Sequence, residues 1–356
     1  MSIDEQRWRD IVSGREDGPL GRAVRGALRG LSWPFQAITF VRRRAYRLGV
    51  LPVRAAAIPV ISVGNITVGG TGKTPLVAWL VRLMREAGHL PAVLTRGYRA
   101  SASQGYWLGG GGGLADEAQE LREATGAMVV VNPNRWAGAR KAAIDGADVC
   151  ILDDGFQHLR LRRDLDIVTL DATCPFGYDA VVPRGLLREP LGALRQAGAV
   201  VITRCDLVTA DVVQAIRNRL AGLAPRALVA ESVMKATRVR RFDGQVEELE
   251  DLENQPVWAF CGLGNPPAFY ATLAATGANV VGATTFNDHH IYSAEDIAAI
   301  ASQAELAGAT RLITTGKDAA KLHALAAGRP MGWLEVELAI TSGERELVQR
   351  ITQAAH

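Results

Sequence analysis

The chain has 356 residues, of which 48% are hydrophobic and 22% are charged, and its formal net charge is +3. This composition excludes a disordered or fibrous protein, and the length is sufficient for two domains. No CxxC spacing joins the four cysteines, which argues against a zinc site or a disulfide framework and favours reduced thiols.

The amino-terminal segment is basic and amphipathic. Positions 18–85 contain no acidic residue, although arginine is frequent in the first part of this window. A helix from Phe35 to Leu48 would carry apolar residues on one side and Arg43, Arg44 and Arg47 on the other. This pattern predicts a helix in the plane of an anionic membrane surface, where each nearby arginine adds about 1 kcal/mol. Two alternatives stay open, a helix packed on the protein's own core and a nucleic-acid contact.

Neither a secretory signal nor a membrane-spanning helix is expected. The start of the chain, Met1 to Asp10, is polar and lacks the apolar region of a signal peptide, so we expect a cytoplasmic protein. The apolar stretch Leu31 to Val41 is interrupted by Pro34 and is far shorter than the roughly 20 residues of a spanning helix.

Short apolar runs alternate with turns and helical patterns between Ile58 and Leu170, which is typical of a parallel sheet covered by helices. The predicted strands are Val60–Val63, Ala92–Thr95, Met128–Val131, Val149–Leu152, Ile167–Leu170 and Ala199–Thr203. A charged segment follows and predicts a linker or an exposed hairpin, and further strand and helix patterns after it indicate a second, smaller α/β domain. The expected division is a basic segment at 1–50, a main α/β core at 51–232, a linker at 233–254 and a smaller α/β domain at 255–356.

A glycine-rich loop follows the first predicted strand and precedes a helical pattern. Glycines without side chains let successive backbone N–H groups turn inward around phosphate oxygens. Lys73 would then bridge the β- and γ-phosphates of ATP, and the Thr74 hydroxyl would bind Mg²⁺. Thr67 stands where the general pattern has its first glycine. The residues predicted to hold the nucleotide are Thr67, Val68, Gly69, Gly70, Thr71, Gly72, Lys73 and Thr74.

Two aspartates, Asp153 and Asp154, end the predicted strand Val149–Leu152. The carboxyl end of a parallel strand lies beside a phosphate loop in this architecture, so these side chains are candidates to hold magnesium directly or through water. A kinase also needs a group that orients or deprotonates the attacking hydroxyl. The pattern of residues does not choose among the candidates, which are Asp116, Glu117, Asp288, His289 and His290.

Several separated motifs occur together in one order. They are VGNITVGGTGKTP at 63–75, TRGY at 95–98, DE at 116–117, DDGFQH at 153–158, LLREP at 186–190, GLGNP at 262–266, NDHH at 287–290 and TGKDAAK at 315–321. On these motifs the chain resembles the tetraacyldisaccharide 4'-kinases of lipid A biosynthesis, from about Arg42 to Gly316. The resemblance implies a P-loop NTPase-type sheet and an amino-terminal segment that faces the membrane.

The resemblance also implies a reaction. The γ-phosphoryl group of ATP would pass, with Mg²⁺, to the 4'-hydroxyl of a tetraacylated glucosamine disaccharide 1-phosphate and give lipid IVA. The implied partners are this lipid-linked sugar and an anionic membrane surface, with no nucleic acid and no obligate protein partner. The implied location is the cytoplasmic face of the inner membrane, as a peripheral enzyme.

Site residues follow from the resemblance position by position. Asp116 matches the catalytic base and His289 its partner, while Lys73, Thr74, Asp153 and Asp154 match nucleotide and magnesium positions. The candidate substrate residues are Arg188, Glu189 and Asp288. We expect His289 to hydrogen-bond Asp116 and to tune its basicity.

Two other classes of protein compete with this interpretation. A membrane-bound nucleotide switch with a variant phosphate loop would carry a lysine just before the glycine pair, where this chain has Val68. A P-loop kinase for a soluble metabolite would leave the basic amphipathic segment without a role.

Overall fold

The computed structural model describes residues 8, 10–16, 18–96, 116–287, 290–326 and 328–356. These residues form two compact units. Among the described residues, the larger unit contains those up to Val233 together with Ile340–His356, and the smaller unit contains Met234–Ala339. Each unit contains a run of parallel strands and has its own apolar core.

The larger unit is built on a parallel sheet whose order is β3-β2-β4-β1-β5-β6-β7. Its strands are β1 Val60–Asn65, β2 Pro91–Thr95, β3 Met128–Val131, β4 Val149–Asp153, β5 Leu165–Asp171, β6 Ala199–Thr203 and the first half of β7 Leu228–Arg241. Every residue of β1 is buried, as expected for the central strand of a sheet covered on both faces. The predicted strands of this region are therefore confirmed.

The helices of the larger unit follow the strands in the crossover pattern of an α/β fold. They are α1 Pro19–Arg47, α2 Lys73–Glu86, α3 Asp116–Thr125, α4 Arg135–Ile144, α5 Ala210–Leu223 and α9 Glu344–Ala355. Short 3₁₀ turns lie at Gly177–Asp179, Leu191–Gln196 and Cys205–Leu207. Helix α9 belongs here although its residues were expected in the carboxyl-terminal domain, because Arg350 donates a hydrogen bond of 2.5 Å to the carbonyl oxygen of Gly198.

The smaller unit has a parallel sheet in the order β10-β9-β11-β12. Its strands are β8 Val246–Glu247, β9 Pro256–Cys261, β10 Asn279–Thr285, β11 Arg311–Thr315 and β12 Met331–Ser342, which extends past the end of the unit. Its helices are α6 Pro266–Ala274, α7 Ala294–Leu306 and α8 Gly316–Leu322, with a 3₁₀ turn at Leu249–Leu252. The hairpin anticipated after residue 233 is present as the antiparallel pairing of β7 with β8.

Helix α1 differs from its prediction in length and in orientation. It begins at Pro19 rather than near Phe35, and Pro34 lies inside it. The predicted polar face is wrong for Arg43, which is 8% exposed, because its guanidinium pairs with Glu189 inside the larger unit. Among the described residues, no helix combines the length and the apolar content needed to cross a bilayer.

Candidate active site

The loop between β1 and α2 has the conformation that its glycines predict. Gly69 and Gly72 have φ values of +110° and +79°, a region that residues with a side chain rarely adopt. A Cβ atom at Gly69 or Gly70 would meet no atom within 4 Å, so this stretch of the loop is open. Backbone N–H groups at the start of α2 are thereby accessible to an anion.

The inner side of the loop is fastened to the neighbouring strands. The hydroxyl of Thr71, which is buried, lies 3.0 Å from the amide of Asn65 and 2.7 Å from the hydroxyl of Thr169 on β5. Thr203, at the end of β6, donates a hydrogen bond of 3.0 Å to the Thr71 carbonyl, and Arg204 donates one of 2.8 Å to Gly70. These contacts hold the inner side of the loop against the strands, whereas its outer side is open to a ligand.

Thr169, Thr203 and Arg204 were not identified from the sequence. The available signal was their position, because they lie in or just after two predicted strands, Ile167–Leu170 and Ala199–Thr203. Carboxyl ends of parallel strands meet at one edge of a sheet, and polar residues there tend to contact the loop that crosses that edge.

Lys73 at the start of α2 is held by an acidic partner. Its Nζ atom lies 3.4 Å from an oxygen of Asp154, and Arg188 donates to both oxygens of Asp154 at 3.0 and 2.8 Å. Burial raises the pKa of Asp154, but the positive charges of Lys73 and Arg188 outweigh this effect and hold its pKa below the usual value. The structure thus joins three residues that the sequence placed in three separate motifs.

Asp153 ends β4 directly beside β1. The parallel register sets Asp153 opposite Val63, in the strand that leads into the phosphate loop, and its side chain is buried. The backbone at Gly64 also packs closely against the segment after β4. A Cβ atom on Gly64 would lie 2.6 Å from the Cβ of Phe156. Only glycine lets the strand and the segment after β4 approach this closely.

The donor set at this corner suits magnesium. Thr74 offers a hydroxyl, and Asp153 and Asp154 offer carboxylates, which are the hard oxygen ligands that Mg²⁺ prefers beside phosphates. Within the described residues no group of three or more His, Cys, Asp or Glu side chains forms a self-contained metal site. A site completed by substrate phosphates is consistent with that, because Mg²⁺ on a nucleotide needs only one or two protein carboxylates.

Of the other predicted site residues, four side chains lie outside the described residues and one, Glu189, is buried. Helix α3 begins at Asp116, but the side chains of Asp116 and Glu117 lie outside the described residues, as do Asp288 and His289. Glu189 is 2% exposed and pairs with Arg43, so its carboxylate is engaged inside the protein.

The parallel sheet, the glycine loop with Lys73 and the adjacent aspartates define a P-loop protein of the nucleoside-triphosphate-using class. Residues 24–356 match the family model described as tetraacyldisaccharide-1-P 4'-kinase. The chain belongs to this family.

Individual relatives agree with the family model. A tetraacyldisaccharide 4'-kinase of Anaeromyxobacter dehalogenans strain 2CP-1 is 39% identical over 334 residues, which cover 90% of this chain and 86% of the relative. One from Geobacter metallireducens is 39% identical over 314 residues, covering 85% and 90%. The crystal structure of the "apo" form of LpxK from Aquifex aeolicus in complex with ATP has a TM-score of 0.73 and 26% identity, and covers 94% of this chain and 100% of that one.

These similarities confirm the predicted fold class and function. The chain is a kinase of the lipid A pathway that phosphorylates the 4' position of its disaccharide substrate.

Proposed function

We propose that this kinase uses ATP and Mg²⁺ and that its phosphate loop, Thr67–Thr74, holds the nucleotide. The observation that carries the proposal is the pairing of Lys73 with Asp154 at the open end of the loop. A lysine oriented in this way presents its positive charge where the β- and γ-phosphates enter. The ATP bound in the related Aquifex aeolicus structure supports the choice of nucleotide.

Thr74 and Asp153 are the first residues we assign to the metal. Asp154 already shares its oxygens between Lys73 and Arg188, so its contribution to the metal is indirect, through water. Thr74 and Asp153 would hold magnesium, and the bound ion would offset the negative charge that develops during phosphoryl transfer. Lys73 and Arg188 add positive charge on the protein side of the same corner.

Asp116 is our proposed catalytic base, on the strength of its place in the family motif. A carboxylate that accepts the proton of the 4'-hydroxyl would orient this oxygen toward the γ-phosphorus.

The decisive experiment incubates the protein with γ-labelled ATP and a tetraacyldisaccharide 1-phosphate and then separates the products. Label should appear in the lipid, and Asp116→Ala should abolish it while ATP binding persists.

A control separates a chemical role from a general loss of charge. Asp211 is exposed at the start of α5 and has no proposed role, so Asp211→Ala should retain the transfer rate. Equal rates for Asp116→Ala and wild type would exclude the assignment of the base. The proposed role of His289 stays a prediction: an unchanged pH profile in His289→Ala would exclude it.

We also propose that α1 rests on the cytoplasmic face of the inner membrane. Large apolar side chains of this helix and of the turn after it point away from the protein; they are Leu20, Leu31, Trp33, Phe35, Ile38, Phe40, Val41, Leu48 and Val50. The same helix is rich in arginine, and this combination favours an anionic bilayer surface. A substrate whose acyl chains stay in the bilayer needs an enzyme at that surface.

Sedimentation with anionic vesicles tests the membrane proposal. Trp33→Ser and Ile38→Ser should each reduce the bound fraction, because the side chains are 75% and 66% exposed on α1. Leu90→Ser is the matched control, since Leu90 is 65% exposed but lies outside α1. Equal binding of all three variants would contradict the proposal. Point substitutions are preferable to deletion of residues 1–50, which would also remove Arg43 from the interior.

A further inference from the structure

Helix α1 contacts the larger unit through an unusual set of positions. Its buried residues are Gly21, Ser32 and Arg43, spaced eleven residues apart. Eleven residues are close to three full turns of an α-helix, so the three positions lie on one face. None of them is a large apolar residue, and two of them, Ser32 and Arg43, attach the helix through polar contacts.

Arg43 reaches both segments that form the phosphate-loop corner. It pairs with Glu189, the residue after Arg188, and donates a hydrogen bond of 2.5 Å to the side chain of Gln196. Its guanidinium also lies 4.9 Å from the ring centre of Phe156, two residues beyond Asp154. One side chain of α1 thus contacts residues that lie within two positions of Asp154 and of Arg188 in the sequence.

The segment that receives α1 also forms one wall of the phosphate loop. Ser32 donates a hydrogen bond of 2.9 Å to the carbonyl of Val181 and accepts one of 3.1 Å from the backbone of Arg184. Farther along the same segment, the backbone N–H of Arg188 donates to Ile66 at 2.7 Å, and that of Val68 donates to Leu186 at 2.7 Å. Residues 181–189 therefore connect α1 to the entrance of the loop through backbone hydrogen bonds.

We infer that Arg43 is a positioning residue for phosphoryl transfer: docked through Glu189 and Phe156, it sets the placement of Arg188 and, through Arg188, of Asp154 and Lys73. The inference rests on the proposed function of the Lys73 corner. Its physical basis is the burial of Glu189 beside Arg43, because a buried carboxylate that loses this cationic partner is driven to move toward water. Such a movement shifts the adjoining Arg188.

A double-mutant cycle tests this inference in detergent micelles, where vesicle binding does not limit the rate. Transfer from γ-labelled ATP is measured for Arg43→Ala, Arg188→Ala and the double variant, with kcat and the KM for ATP determined separately. Arg43→Ala should lower kcat about 10- to 100-fold, the scale of a slight misplacement of catalytic groups. In the Arg188→Ala background, the Arg43→Ala substitution should lower kcat by less than about 3-fold, because Arg43 acts through Arg188.

Arg44→Ala is the matched control, since it removes the same charge from the same helix at an exposed position. Its loss of kcat should stay well below that of Arg43→Ala. Should Arg43→Ala fail to fold, Glu189→Gln replaces it in the cycle at nearly constant volume, with the same expectation.

Two results would overturn the inference. One is a kcat for Arg43→Ala equal to that for Arg44→Ala, and the other is a double-variant loss equal to the product of the two single losses. Both results leave the proposed function intact, because wild-type transfer of label to the lipid is measured in the same series. Absence of that transfer in the wild type would instead remove the function on which the inference rests.

Discussion

The phosphate loop and helix α1 belong to the same unit but are held in opposite ways. The loop grows out of β1, every residue of which is buried, and its polar anchors come from neighbouring strand ends. Helix α1 exposes most of its large apolar side chains to solvent, and its buried residues are Gly21, Ser32 and Arg43. The first region is stabilised by the core, whereas the second depends on a few specific contacts. Substitutions should therefore affect the two regions by different mechanisms and to different extents.

The largest effect should come from the open end of the loop. Lys73→Met removes the charge that faces the phosphates, and we expect kcat/KM to fall about 10²- to 10³-fold, the scale for loss of one preorganised electrostatic contact. The free energy of unfolding should change by less than about 1 kcal/mol, because ion pairs near the surface contribute little to stability. Labelled transfer and urea unfolding measure the two quantities.

A control separates this effect from the loss of an ion pair. Lys141 on α4 pairs with Asp145, the residue that follows the helix, in a similarly accessible setting. Lys141→Met should therefore keep the wild-type rate. A slow Lys141→Met, or a Lys73→Met that retains its rate, would contradict a special role for the loop lysine.

The second-largest effect should be a loss of stability from a substitution at Gly64, in β1 just before the loop. Gly64→Ala would bring a Cβ atom within 2.6 Å of the Phe156 side chain and 2.7 Å of its backbone nitrogen. Since the sheet leaves no room for either atom to move, we expect a loss of about 3 kcal/mol in the free energy of unfolding. Urea unfolding measures it. Gly192→Ala, where a Cβ meets nothing within 4 Å, should change stability by less than about 0.5 kcal/mol.

Much of the loop region was predictable because its chemistry is local. A buried strand, glycines at fixed positions and a following lysine occupy consecutive residues, so the phosphate site and the sheet around it follow from the pattern. The position of Arg43 was not predictable in this way. A helical projection groups it with Arg44 and Arg47, and the partner that buries it, Glu189, lies 146 residues away in the chain.

Similar reasoning explains the other differences. Helix α9 pairs its Arg350 with Gly198, a contact across 152 residues that no local pattern reveals. The anchors Thr203 and Arg204 depend on the order of the strands, because β6 lies next to β5, which pairs with β1, and strand order is a property of the whole sheet. Sequence patterns thus located the elements, while contacts between distant residues determined which side chains meet.

A third effect should appear as pH falls. Burial and the nearby positive charges of Arg135 and Arg163 lower the pKa of His158 from 6.5 to about 4. Between these values the unfolded chain binds a proton that the folded protein does not. Stability from this group is therefore complete above pH 6.5 and is lost as the pH falls toward 4.

His158→Gln removes this titration. After allowance for solvent screening of a partly exposed ring, wild type should lose about 1 to 2 kcal/mol more than the variant between pH 7 and pH 4. Urea unfolding at several pH values measures the difference. Parallel pH profiles would show that His158 titrates normally in the folded protein.

The smallest effect distinguishes the two faces of α1. At Gly30 a Cβ atom would meet nothing within 4 Å, whereas at Gly21 it would lie 2.2 Å from the carbonyl oxygen of Glu16. Alanine favours a helix over glycine by about 0.5 to 1 kcal/mol, so Gly30→Ala should stabilise the protein by that amount. Gly21→Ala gains the same propensity but should be destabilising by about 1 kcal/mol, because the helix must shift away from its contact. Urea unfolding of both variants gives the comparison. Equal gains would mean that the helix is not docked at Gly21, and the distinction between a buried polar face and an exposed apolar face would then fail at that end of α1.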